Sequence, residues 1–202
     1  MHAYATDSEE RKYIPFFVAA LAIAVSYGVS VLAAKANLAL PFWLPSLDTI
    51  GVYGLFLWLF DEYVWRWPLL HALGAVRVPV LMGTWQANAV PVETDGVSKG
   101  LTAPSELRVQ IRQRWLSISI SGEAKLSHFS SVSGYIDTKG EPVLGYVYVN
   151  EPAVSAPATM QIHRGTVRLV LSDDGKTLKG DYYSGRSRQN IGTFELVRTA
   201  RH

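Results

Sequence analysis

The 202-residue chain contains no cysteine, which excludes disulfides, thiolate chemistry and cysteine-based zinc sites. It is also poor in charge: 18% of residues are Asp, Glu, Lys or Arg, and the net charge is only +2. Duplex nucleic acid is held by a dense basic footprint, and so weak a balance argues against such a partner. Other absences narrow the chemistry. No glycine-rich phosphate loop and no nucleophile elbow occur. His128 and His163 lack the His-x-x-x-His or Glu-x-x-His spacing of a metal site, and Asp173 and Asp174 fall in a turn, where aspartates serve the backbone. The expectation is a protein that is not an enzyme, with no catalytic residue, metal or cofactor.

What is present is divided unevenly. Residues 1–76 carry four basic and six acidic side chains, residues 77–202 fifteen and eleven. Ile14 to Ala34 is a run of 21 residues without a charge, and at ~1.5 Å per residue it crosses the ~30 Å hydrocarbon core of a bilayer. Two readings compete: a buried core helix, for which the run is too long and too continuously apolar, and a cleaved signal peptide, given the small-x-small sequence Ala34-Lys35-Ala36, although the run exceeds an ordinary signal's apolar core of ~7–15 residues.

A second apolar segment, interrupted by Pro45 and Asp48, reaches spanning length if its helix runs from Trp43 to Tyr63, with Tyr63, Trp65 and Trp67 in an interfacial aromatic belt. Two spans put both termini on one side. Arg11, Lys12, Arg66 and Arg77 flank that side against Lys35 in the loop, so the positive-inside bias places the rest of the chain in the cytoplasm. Along the first span Ala22, Ser26, Ser30 and Ala34 make a stripe of small side chains. Such a stripe lets helices approach closely in lipid, either within the hairpin or between protomers.

After Pro79 the apolar period changes to two, the mark of strands with one buried face. Leu107, Val109 and Ile111 alternate with polar residues, as do Leu116, Ile118 and Ile120. Turn signals such as Ser121-Gly122, Lys139-Gly140 and Asp174-Gly175 separate the runs. About eight strands are predicted, near 82–88, 106–113, 115–121, 125–136, 143–150, 159–171, 177–184 and 191–199. The expected fold is all-β, an antiparallel barrel of about eight strands behind a two-helix transmembrane hairpin, with a two-sheet sandwich as the alternative. The corresponding division is an N-terminal tail (1–12), a transmembrane region (13–76) and a β domain (77–202) that folds alone.

Within the β half, aromatic and arginine residues gather. Tyr146 and Tyr148 share a strand face, Tyr182 and Ser184 another, and Arg186 and Arg188 follow in the adjoining turn. Rings stack on nucleobases and guanidinium groups fork onto phosphates, so the set suits a small anionic aromatic ligand; tyrosines that are simply good strand formers are the plain alternative.

The layout and two stretches resemble a known family. A two-span hairpin leads into a barrel that opens with Met82-Gly83-Thr84-Trp85 and closes with Leu178-Lys179-Gly180-Asp181-Tyr182-Tyr183-Ser184-Gly185-Arg186 and then Ile191-Gly192-Thr193-Phe194-Glu195-Leu196. This is similar to the two-transmembrane, β-strand-rich effectors of bacterial CBASS antiphage defence. The resemblance implies a cytoplasmic barrel that senses a cyclic dinucleotide, then ligand-induced homo-oligomerisation among membrane lipids and disruption of the inner membrane. It carries Tyr182 and Ser184 into a ligand pocket, with Arg186 at its mouth. Tyr146, Tyr148 and Arg164 are added on chemistry alone. A membrane-anchored, lipocalin-like carrier of an apolar ligand is the rival function, and interior polarity separates the two. A membrane-anchored hydrolase is a third, without a recognisable nucleophile and base.

Overall fold

A computed structural model describes residues 1–36, 44–91, 105–157, 160–185 and 191–200, with side chains described for all of these but 44–48, 91, 105 and 106. The chain forms two compact units, one of Met1–Asp7 together with Val78–His202, the other of Ser8–Arg77.

The first unit is a closed antiparallel barrel. Its eight main strands are β3 (Gly83–Pro91), β4 (Ser105–Gln113), β5 (Ser117–Ala124), β6 (Ser127–Asp137), β7 (Val143–Pro152), β8 (His163–Leu171), β9 (Thr177–Ser184) and β10 (Ile191–Ala200). All eight expected strands are present, and the sandwich is not what forms. The largest shift is at β8, which begins at His163 rather than near residue 159. Each strand pairs with its sequence neighbour, and β10 returns to β3 from Gly192↔Pro91 to Ala200↔Thr84. Two of the expected turns follow from glycine: Gly140 and Gly175 sit at φ of 84° and 66°, a region open to glycine without steric cost, whereas Ser121-Gly122, expected as a turn, lies inside β5. Asp174 holds its turn through hydrogen bonds from the Ser172 hydroxyl and the Lys176 amide.

One seam closes differently. β5 and β6 pair only from Ser121↔Ser130 to Ala124↔Ser127 and then diverge. Two short strands from the N-terminus fill the gap, β1 (His2–Ala3) antiparallel on β5 and β2 (Ala5–Thr6) parallel on β6. Tyr4, between them, is 3% exposed, and its hydroxyl donates to the Trp115 carbonyl at 2.7 Å. His2 Nε2 lies 2.8 Å from Ser131 Oγ, which also accepts from the Ile120 amide. Asp7 then caps the β6–β7 turn by accepting from the Thr138 amide and hydroxyl at 2.7 and 2.9 Å. Burial raises the Asp7 carboxyl, but these hydrogen bonds outweigh it and hold the group below its usual range. The first seven residues are thus part of the barrel wall, where the sequence suggests only a tail. Unpaired strand edges invite association with other chains, so the fragment 77–202 lacks a piece of its own seam.

Side chains alternate across the wall. At one end the lumen is filled by Trp85, Ile111, Ile118, Ile120, Leu169 and Leu178, all buried. Trp85 donates its indole N–H to the Leu81 carbonyl, and the Arg198 guanidinium stands 4.4 Å from its ring centroid.

The second unit is helical: α1 (Glu10–Lys35), α2 (Leu44–Glu62), a 3₁₀ turn at Val64–Arg66 and α3 (Pro68–Ala72). Of the described residues, one helix, α1, is long and apolar enough to cross a bilayer. The second helix falls where the sequence places it, at Leu44–Glu62, with Trp43 and the side chain of Asp48 outside the described residues. The two-span hairpin therefore reduces at this point to one helix long and apolar enough to span, with a second helix packed on it. Phe16, Phe17 and Tyr27 are exposed along α1, as an outer surface against lipid requires. Ala22 and Ser26 are buried, Ser30 is half-buried and Ala34 exposed. Ser30 donates its hydroxyl to the Ser26 carbonyl within its own helix. Half of the small-residue stripe is thus spent inside this unit.

If the N-terminal segment closes the barrel, Tyr4→Ala should lower stability by about 3–5 kcal/mol, the cost of emptying a buried aromatic site. Thermal unfolding of the full chain in detergent measures this, with the outward-facing Tyr183→Ala as control. A Tyr4→Ala protein that melts with the control would remove the segment from the wall.

Candidate functional site

At the other end the barrel is not filled. A cavity of about 250 Å³ opens there, and strand alternation decides which side chains reach it. β7 turns Tyr146, Tyr148 and Asn150 inward; β9 turns in Tyr182 and Ser184; β6 contributes Ser127 and Phe129; β8 contributes His163 and Val167. Small or apolar residues, Ala89, Leu107, Ala124, Leu126, Met160 and Phe194, complete the wall with Lys125. Lys125, exposed in the β5–β6 turn, is the one basic side chain among the described lining residues other than His163.

The aromatic groups touch edge to face. Phe129 and Tyr148 have centroids 5.7 Å apart, Tyr148 and His163 6.4 Å, and Tyr182 and Phe194 6.3 Å. Such contacts each add roughly 0.5–1.5 kcal/mol beyond burial, so the rings hold one another in place. Burial, with the neighbouring Tyr148 adding to it, drives the Tyr146 phenol far above its ordinary range. Burial also raises Tyr182. Both are therefore neutral near pH 7, able to donate and accept a hydrogen bond without repelling an anion. The Tyr146 hydroxyl is buried with no hydrogen-bond partner among the described residues.

Four of the residues singled out in the sequence, Tyr146, Tyr148, Tyr182 and Ser184, meet around this one cavity. Arg164 does not. It alternates with the inward-facing His163 and Gly165 and is exposed on the outer face of β8, so its placement in a pocket is corrected. Arg186 lies outside the described residues, as does Arg188. Sequence reasoning missed Phe129, Asn150 and His163. Asn150 follows Tyr148 at a spacing of two, and His163 precedes Val167, Leu169 and Leu171 in step with the buried face, so period two could have found both. On interior polarity, the wall combines three tyrosines, two serines, an asparagine and a histidine with aliphatic and phenyl carbon. The aliphatic share comes from Ala89, Leu107, Ala124, Leu126, Met160 and Val167, and no arginine is among the described lining residues. Among the described residues no cluster of His, Asp and Glu could hold a metal ion.

Comparison with known proteins bears on the same regions. Residues 76–198 match a family model described as Cap15, cyclic dinucleotide receptor domain, and residues 12–66 one described as Cap15, TM helices. CD-NTase-associated protein 15 of Staphylococcus schleiferi is 23% identical over 127 residues, which are 62% of this chain and 64% of that protein. The aligned part is therefore just under two thirds of the relative's length.

The unpartnered Tyr146 hydroxyl makes a specific expectation. A buried polar group left unpaired costs about 1–3 kcal/mol, so Tyr146→Phe should leave the melting temperature of the ligand-free protein unchanged or raise it. A clear fall in melting temperature would mean that the hydroxyl is satisfied after all.

Proposed function

The chain belongs to the Cap15 family of CBASS effectors, with a cyclic dinucleotide receptor domain and TM helices, and we propose that the aromatic cavity is where its receptor domain takes the ligand. The observation that carries this reading is the convergence of Tyr146, Tyr148, Tyr182 and Ser184 from two strands on one open end of the barrel. Rings supply stacking surfaces for nucleobases, worth roughly 1–3 kcal/mol per base, while hydroxyl and amide groups supply hydrogen bonds. At about 250 Å³ the cavity is below the ~300–1,000 Å³ usual for pockets that enclose a drug-sized ligand. The ligand therefore inserts its bases and keeps its phosphodiester ring at the mouth, beside Lys125. Arg186, two residues beyond Ser184 in sequence, is the second cation proposed for the phosphates.

The chain spans the bacterial inner membrane twice, through α1 and α2, and Arg11, Lys12, Arg66 and Arg77 keep the barrel on the cytoplasmic side. Ligand binding brings copies of the chain together, and the assembled helices disrupt the bilayer of the infected cell. The barrel acts as a receptor without catalysis, and the cyclic dinucleotide is its activating ligand rather than a cofactor.

A thermal-shift panel of cyclic di- and trinucleotides on the detergent-solubilised full chain tests the site. At 100 times its dissociation constant, a ligand should add about 2.7 kcal/mol of stability. Tyr182→Ala should weaken its binding by about 1–3 kcal/mol. A panel without any stabilising member, or a folded Tyr182→Ala protein with parental affinity, would contradict the assignment.

A further inference from the structure

The lumen of an eight-stranded barrel is either filled by its own side chains or left with room for one small ligand, so a lumen filled at one end and open at the other needs a cause. Here the cause is a pairing repeated three times around the open end. Gly122 is the register partner of Phe129, Gly165 of Tyr148, and Gly192 of Tyr182. A Cβ at Gly122 would fall 2.2 Å from Phe129 Cε1, one at Gly165 2.4 Å from the Tyr148 hydroxyl oxygen, and one at Gly192 2.4 Å from Tyr182 Cε1. No side chain larger than glycine fits under these rings where they stand. Each ring lies over the neighbouring strand instead of standing up into the lumen.

Aromatic cover of a cross-strand glycine is also a general packing device. Tyr135 covers Gly145 in the same way and is exposed on the outer face. What sets the other three apart is that all of their rings line one cavity. We propose that Gly122, Gly165 and Gly192 are positioning residues for ligand recognition, which seat Phe129, Tyr148 and Tyr182 against the barrel wall and so set the free volume that admits planar bases. The proposal rests on the receptor reading of this cavity.

Gly122 offers the cleanest test. The three atoms nearest its added Cβ all belong to the Phe129 ring, whereas backbone carbonyl oxygens of Tyr183 and Val90 also crowd Gly165 and Gly192. In the full chain, Gly122→Ala should swing Phe129 into the lumen, visible in a crystal structure of the ligand-free variant. It should also weaken binding of the dinucleotide selected by the panel by about tenfold, within the range given by loss of one stacked base. In a Phe129→Ala background the same glycine substitution should change affinity by less than about twofold, because the pair is coupled only through the ring. If Gly122→Ala alone folds poorly, recovery of the parental melting temperature in the double variant relative to Phe129→Ala carries the same information. Phe129 in its parental position, parental affinity in the single variant, or equal losses in both backgrounds would overturn the proposal. A parent protein that binds no nucleotide would instead defeat the receptor reading, while the ring position would still decide whether the glycines make the cavity.

Discussion

Backbone pairing has to run the whole way round a barrel before its interior is separated from solvent, and here that closure depends on the seam between β5 and β6. The two strands pair over four residues each beside their hairpin and then part. Two dipeptide strands and the buried Tyr4 from the chain's beginning occupy the remainder. Two consequences follow. The wall that carries Phe129 and Gly122 is continued by residues more than a hundred positions away in sequence. The chain also leaves the barrel unit after Asp7 and re-enters it at Val78, so the helical unit is an insertion in the β unit, covalently joined to it at two points.

Within the closed wall, the two ends of the lumen differ by residue size. Branched aliphatics and Trp85 fill one end, as the narrow diameter of eight strands favours. At the other, glycine and alanine face rings that rest on the strands, and a cavity remains. Its polar groups are phenols, hydroxyls, an amide and the His163 imidazole. Desolvating such groups costs less than desolvating a charge, provided that the base hydrogen-bonds them, and the charge needed for phosphate is left to the solvated rim.

Much of this architecture is legible in the sequence because its signals are periodic. The alternation of Leu107, Val109 and Ile111, and the turns at Gly140 and Gly175, mark strands and their ends without reference to any partner. The same alternation through Val167, Leu169 and Leu171 puts Arg164 on the outside; it entered the candidate site on chemistry alone, and the error follows from that. β1 and β2 are two residues each, too short to carry a period, and owe their conformation entirely to the edges they cover. The glycine–aromatic pairs were equally hidden, since they exist only once the register between strands is known. In the helical unit, the spacing of Ala22 and Ser26 showed a close-packed helix face but not its partner, and the burial of these two against the exposure of Ala34 came only with the structure.

In the function proposed above, the ligand enters the lumen at the glycine-lined end of the barrel. Amide hydrogen exchange of the full chain with and without a saturating cyclic dinucleotide tests it most directly, because local opening reports each segment separately. Slowed exchange is expected at the cavity-facing ends of β6, β7, β8 and β9, around Phe129, Tyr148, His163 and Tyr182, with no change around Trp85 and Leu178. Protection confined to the outer-face turns or to the filled end, with Tyr148 and Tyr182 unaffected, would contradict it.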